Sequence, residues 1–272
     1  MFARARKASI IAYVMRFIFM GTGTSQGVPL IASKNEGLDL SNPKNWRTRA
    51  SAHLNIKGLD IQIDAGPEFR LQCLKNNIKN IDFFILTHGH ADHIVGMDDL
   101  RRFCDLKPDH TVDVYGEDGG LERVKSIFPY ALGDSPAQRG YPCFKLHNLP
   151  PLTDFGNGVK IRSTLLPHDT VKTLGLVFEE DSKKIAYYSD CKSLPDEAQR
   201  LAYKADALVI DGLRPGYHHS HMSIYEAIEY GKLLKAKSVY LTHTTGQIDY
   251  ETWQRQLPEN FFIAYDGLTF EV

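Results

Sequence analysis

Four metal-type side chains stand within six residues in the run Thr87-His88-Gly89-His90-Ala91-Asp92-His93. Imidazole nitrogen and carboxylate oxygen are donors that suit Zn²⁺ and, where oxygen is richer, Mn²⁺ or Fe²⁺. His88, His90, Asp92 and His93 follow the apolar run Phe83–Leu86, and Gly89 permits the tight turn that aims several of them at one point. A solvated polar turn holding three of the chain's eleven histidines is the alternative, and it does not account for so dense a set of ligand types. Three further residues of this kind end later apolar runs: His168 after Val159–Leu166, Asp190 after Lys184–Ser189, and His243 after Val239–Thr242. Each alone reads equally well as a turn residue. Together they read as ligands carried by separate strands to one edge.

The elements that would position them are legible as short β-branched and aromatic runs. Strands are expected at Arg16–Met20, Ala52–Lys57, Leu59–Ile63, Phe83–Thr87, Val112–Tyr115 and Val159–Leu166. Others follow at Gly175–Glu179, Lys184–Ser189, Ala207–Ile210, Val239–Thr242 and Phe262–Ala264. Gly58 splits two of them into a hairpin. Helical spacing is expected over Pro67–Asn77, Asp92–Cys104, Gly119–Phe128, Pro195–Tyr203 and Ser223–Leu234, the last opening on Ser223 with Glu226 three residues on. Many strands with interspersed helices predict an α/β fold of two packed sheets covered by helices. The irregular stretches are Ile31–Arg47 and Phe128–Tyr141, the second a candidate lid.

Composition narrows the setting. The 272 residues suffice for a full core, and a formal net charge of −1 draws the chain neither to nucleic acid nor to anionic membranes. No run of about 18 apolar residues exists, so no membrane span is expected. Cys73, Cys104, Cys143 and Cys191 are scattered without a Cys-x-x-Cys pair, which points to buried thiols and a reducing, cytoplasmic setting. Residues 1–15 carry Arg4, Arg6 and Lys7 before a short apolar stretch that Arg16 interrupts. They are expected to be a poorly ordered extension, with Met15 an alternative start and 16–272 the single folded domain.

The order THGHADH, then His168, Asp190 and His243, resembles the ligand set of the metallo-β-lactamase superfamily. Asp64-Ala65-Gly66 after Leu59–Ile63 is similar to that family's acidic turn. The resemblance runs from about residue 16 to residue 272. It implies a four-layer αβ/βα sandwich with two divalent metal ions at one edge, zinc first, manganese or iron as alternatives. It assigns His88, His90 and His168 to one ion and Asp92, His93 and His243 to the other, with Asp190 bridging. Asp64 is expected to accept hydrogen bonds from the ligand loop or a ligand imidazole. Two ions about 3.5–4 Å apart hold a bridging hydroxide, because a metal lowers the pKa of bound water toward roughly 7.

Three local features bear on the substrate. Met20–Pro29 is a glycine-rich loop able to present backbone donors to an anion. Asp211-Gly212-Leu213-Arg214 leads into His218-His219-Ser220-His221-Met222-Ser223, where an Arg and a His near a metal edge suit phosphate as clamp and proton donor. A surface histidine cluster before a helix cap is the plainer alternative. Ala264–Leu268 closes the chain with a turn. These features resemble the phosphodiesterase branch that includes phosphoribosyl cyclic phosphodiesterases and, more distantly, ribonuclease Z. The resemblance implies that His221 assists phosphoryl transfer. The cysteine-rich zinc site of the cyclic phosphodiesterases has no counterpart in Leu30–Arg47, which lacks cysteine.

The expectation is a binuclear metal-dependent phosphodiesterase acting on a small or cyclic phosphodiester. Its catalytic candidates are Asp92, Arg214 and His221. Membrane and nucleic-acid partners are disfavoured, and there is room for a homodimer. The rivals are a carbonyl hydrolase acting on a thioester, lactone or lactam, and a metal-binding scaffold without turnover.

Overall fold

Two-sided burial explains why the strands read as continuous apolar runs. The computed structural model describes residues 14–133, 140–156 and 158–272. In β1 (Arg16–Gly21), Phe17 and Phe19 enter one core while Ile18 and Met20 enter another on the opposite face. In β4 (Phe83–Ile85), Phe83 and Ile85 point inward and Phe84 outward. In β11 (Ala207–Asp211), Ala207 and Val209 alternate with Leu208 and Ile210 in the same way. Full burial of one such side chain contributes about 1.5–3 kcal/mol, so these runs specify their strands more firmly than propensity does.

The first sheet holds β1, β2 (Ser51–Ile56), β3 (Leu59–Ile63), β4, β5 (Val112–Gly116), β6 (Phe144–Asn148) and β14 (Thr269–Glu271), in the order β14-β1-β2-β3-β4-β5-β6. The second holds β7 (Leu152–Gly156), β8 (Val159–His168), β9 (Val171–Glu180), β10 (Lys183–Tyr188), β11, β12 (Ser238–Thr242) and β13 (Phe261–Ile263), in the order β13-β12-β11-β10-β9-β8-β7. Outside the first sheet lie α1 (Phe69–Lys75), α2 (Ala91–Ile94), α3 (Arg101–Leu106) and α4 (Asp118–Ile127). Outside the second lie α5 (Asp196–Ala202), α6 (Ile224–Leu234) and α7 (Tyr250–Gln254). Helix, sheet, sheet, helix: this is the expected four-layer α/β sandwich.

Strands β3 to β6 run parallel, as do β10 to β13. Their carboxyl ends therefore gather at one edge, where parallel sheets present their ligand sites. At that edge the sheets are tied together: Leu174 N donates to Thr87 O at 2.9 Å, and Gly23 bridges Thr244. The hairpin about Gly58 is present, with Lys57 and Gly58 both left-handed at φ 48 and 82°. The cap of α6 is a full capping box between Ser223 and Glu226.

Several elements differ from expectation. The helix expected over Asp92–Cys104 is α2, a 3-10 segment Val95–Leu100, and α3. Gly96 explains the break: its N–H donates to Ala65 O, and a Cβ there would lie 2.0 Å from Gly66 O, so the chain is drawn against the β3 exit. β6, β7, β14 and α7 were not anticipated. Residues 1–13 lie outside the described residues, whereas Met15, assigned above to the extension, is fully buried and accepts Val272 N–H. The candidate lid falls partly on residues 134–139, also outside the described residues. Among the described residues, no helix is long and apolar enough to cross a membrane.

Candidate metal centre

Left-handed residues turn the chain at the strand exits. Asp64, Asp190 and His243 follow β3, β10 and β12 at φ 59, 53 and 58°. Such conformations are costly for side chains other than glycine and persist where surrounding structure over-determines them. Here they swing three site residues inward. His88, His90, Asp92 and His93 come from the loop after β4 and from α2, and His168 ends β8.

Single donor atoms of His88, His90 and His168 lie within 4.8 Å of one another, and so do those of Asp92, His93, Asp190 and His243. Asp190 also groups with His168 and His221, which sets it between the two clusters. In the first, His90 Nδ1 is 3.0 Å from His88 Nε2 and 3.2 Å from His168 Nε2. In the second, His93 Nε2 is 3.2 Å from Asp92 Oδ2 and 3.3 Å from Asp190 Oδ1. His243 Nε2 is 2.9 Å from Asp190 Oδ1 and 3.7 Å from Asp92 Oδ2.

Hydrogen bonds behind the rings fix which nitrogen faces inward. The fully buried Asp64 accepts from Thr87 N at 2.8 Å, Thr87 Oγ1 at 2.7 Å and His93 Nδ1 at 2.7 Å. It therefore holds both the loop and a ring. His168 Nδ1 donates to Ser220 O at 3.2 Å, and His88 Nδ1 lies 3.1 Å from Thr87 Oγ1. In each case Nε2 is left to face the cluster, as metal-binding imidazoles require.

Electrostatics follow from burial and crowding. Burial pushes His88 well below its ordinary range. Burial also opposes protonation of His243, but Asp190 and Asp92 outweigh it and raise the ring to about 10. Asp190 is buried too, yet His243 and His93 hold it well below the usual carboxylate range. Without metal, protons on His93 and His243 balance the carboxylates.

Residues 60–244, more than half of the chain, match the Beta-lactamase superfamily domain, and this stretch holds Asp64 and all seven ligand candidates. The chain belongs to the metallo-β-lactamase superfamily. A solved structure described as a new diphosphatase from the PhnP family is similar, with a TM-score of 0.82 at 30% identity, covering 95% of this chain and 97% of that one. The octanoyltransferase of Porphyromonas gingivalis is 30% identical over 258 residues, 93% of this chain but 51% of the relative, so this metallo-β-lactamase chain spans about half that protein's length. The ribonuclease Z of Agathobacter rectalis is 21% identical over 285 residues, covering 85% of this chain and 93% of the relative.

The superfamily implies divalent metal ions, and the residues present fit them. Nε2 of His93 and Nε2 of His243 are buried with no hydrogen-bond partner among the described residues, although carboxylate oxygens surround both. Unpaired buried polar atoms are costly, and a cation between these nitrogens and carboxylates satisfies them. The imidazole nitrogens facing one another near 3.0 Å in the first cluster call for a shared cation for the same reason.

Two further candidates lie beside the cluster. His221 stacks on His243 with ring centroids 4.8 Å apart and meets His168 edge-on at 4.7 Å. Its Nδ1 donates to buried Asp211 Oδ2 at 2.6 Å. Arg214 lines, with His218 and His221, a cavity of about 410 Å³ that Thr24–Gln26 of the glycine-rich loop also line. Asp211 had no role in the sequence reading, although a signal existed: like Asp64 and Asp190, it is an Asp at the carboxyl end of a parallel strand. Cys191 is fully buried, with its thiol pushed up by burial, and its N–H donates to Asp211 Oδ2. Asp266 braces the glycine-rich loop by accepting from Thr22 and Thr48 hydroxyls.

Proposed function

We propose that this chain is a metal-dependent phosphodiesterase acting on a small or cyclic phosphodiester at a two-ion centre. The reading rests on one observation: the buried Asp211–His221 pair stands between the ligand clusters and a cavity that carries Arg214. His88, His90 and His168 would hold one ion and Asp92, His93 and His243 the other, with Asp190 shared. Such ions supply an acidified water and neutralise charge at the reacting phosphorus, zinc being favoured by the nitrogen-rich set and manganese or iron the alternatives.

The protein's own groups do the rest. Asp64, Thr87 and Ser220 hold the ligand rings in one tautomer. Because His221 Nδ1 is committed to Asp211, its Nε2 is free to carry a proton to the leaving oxygen. Arg214 spends one nitrogen on Tyr217 O and keeps its other donors for an anionic oxygen. Asp92 is both ligand and part of the electrostatic frame around the reacting group.

A diphosphate ester suits the same machinery, and the likeness to a PhnP-family diphosphatase supports including it. The octanoyltransferase likeness spans only half of that relative, so acyl transfer is not carried over. Turnover of bis(p-nitrophenyl) phosphate with added Zn²⁺ or Mn²⁺, against thioester and lactone panels, tests the proposal. Phosphodiester hydrolysis with a loss of about 10²–10⁴-fold in His221→Ala is expected. Unchanged turnover in that variant would refute the role of His221, and preference for a thioester would refute the substrate class.

A further inference from the structure

We propose that Arg214 and His218 form a subsite for a second, non-scissile phosphoryl group, so that the preferred substrate carries two adjacent phosphoryl groups. This deepens the phosphohydrolase reading above and rests on it. None of the seven ligand candidates lines the cavity that holds Arg214 and His218. His221 is the boundary: its ring meets His168 and His243 of the ligand set and also His218, at 5.2 Å between centroids, and of the two ligand rings it touches neither lines the cavity. A phosphoryl group at the metal ligands is thus separated from Arg214 by the His221 ring, and what reaches Arg214 is the next group along the substrate.

The subsite is built rather than incidental. The loop from Arg214 to Ser223 is closed at its base by Leu213 N to Met222 O and Ile224 N to Arg214 O, both 3.0 Å. Within it, Arg214 Nη2 donates to Tyr217 O at 2.8 Å, while its buried Nε has no partner. His218 Nδ1 accepts from Ser220 N at 3.3 Å. A backbone N–H can only donate, so a neutral His218 ring carries its hydrogen on Nε2 and offers a donor to the cavity. Guanidinium and imidazole donors side by side suit phosphoryl oxygens. Glu36 is the cavity's carboxylate and is exposed to solvent.

The geometry also gives the step. A water gives up one proton to solvent as its oxygen bonds to the scissile phosphorus, and the bond from that phosphorus to the bridging oxygen breaks; solvent later returns a proton to His221. The bridging oxygen leaves with the electron pair and takes the His221 proton, remaining on the phosphoryl group held by Arg214 and His218. The products are two phosphate monoesters, or one monoester and phosphate.

Calorimetric binding of α,β-methylene-ADP and of AMP to the metal-loaded protein tests this without turnover. The wild-type protein is expected to bind the two-phosphoryl ligand at least about tenfold more tightly. Arg214→Met, which keeps the stem, should bring that ratio near one. His218→Ala should lower it severalfold, and His218→Asn, whose amide retains a donor, should restore part. A wild-type ratio near one, or a ratio unchanged in both Arg214→Met and His218→Ala, overturns the subsite. Wild-type turnover of bis(p-nitrophenyl) phosphate separates the two failures: with turnover, only the subsite falls; without it, and with thioester or lactone cleavage instead, the phosphohydrolase reading falls as well.

Discussion

Replacing Asp64 by Asn changes one atom in a fully buried side chain and should weaken metal binding without unfolding the protein. The carboxylate accepts three hydrogen bonds, from Thr87 N, Thr87 Oγ1 and His93 Nδ1. An Asn keeps an acceptor for Thr87 N but turns an amide N–H toward the other two. The Thr87 hydroxyl can rotate and accept, whereas the His93 Nδ1–H is left without an acceptor. Loss of one charge-assisted bond costs about 1.5–3 kcal/mol. If the ring turns or changes tautomer to relieve this, Nε2 no longer faces the cluster and the cost appears as metal affinity, about 10–100-fold weaker. Competition against a chromophoric zinc chelator measures that loss, and a melt in chelator checks the fold. Unchanged zinc affinity in a folded Asp64→Asn protein would refute the coupling between Asp64 and the ligand ring.

Asp211→Asn should retain its metal yet lose about 100-fold in kcat, because His221 loses the anion that orients it; metal analysis beside phosphodiester kinetics checks both halves. Metal uptake should also depend on pH. His243 is raised from its ordinary 6.5 to about 10 without metal, so its proton stabilises the metal-free fold below pH 6.5 and that contribution is lost as pH rises toward 10. Because an ion must displace this proton, the melting-temperature gain on adding zinc should grow across the same window. A gain that is flat or falls with pH would contradict this. Ser223→Ala removes one half of the α6 capping box and should cost about 1 kcal/mol, read by chemical denaturation.

The ligand residues were legible because they sit where long apolar runs stop. Phe83–Leu86 and, from Ile185 on, Lys184–Ser189 are buried on both faces, so their ends were visible, and His88 and Asp190 stand at those ends. β6, β7 and β14 went unseen for the opposite reason. They are short, partly exposed strands at sheet edges, and the burial of β7 in particular alternates between exposed and half-buried residues. The break in the Asp92–Cys104 helix depends on Gly96 meeting the backbone of Ala65 and Gly66, a contact thirty residues distant that no local pattern carries. Asp211 shows the same limit in the site. An Asp at a strand end reads as a turn residue until the loop Arg214–Ser223 folds back and brings His221 onto it.

Titrating the chelator-stripped protein with Zn²⁺ or Mn²⁺ while following bis(p-nitrophenyl) phosphate hydrolysis tests the central claim most directly. The two-ion phosphodiesterase account predicts activity that rises to a plateau at two equivalents of metal per chain. Metal bound to saturation with no phosphodiester turnover, or a plateau at one equivalent, would contradict it.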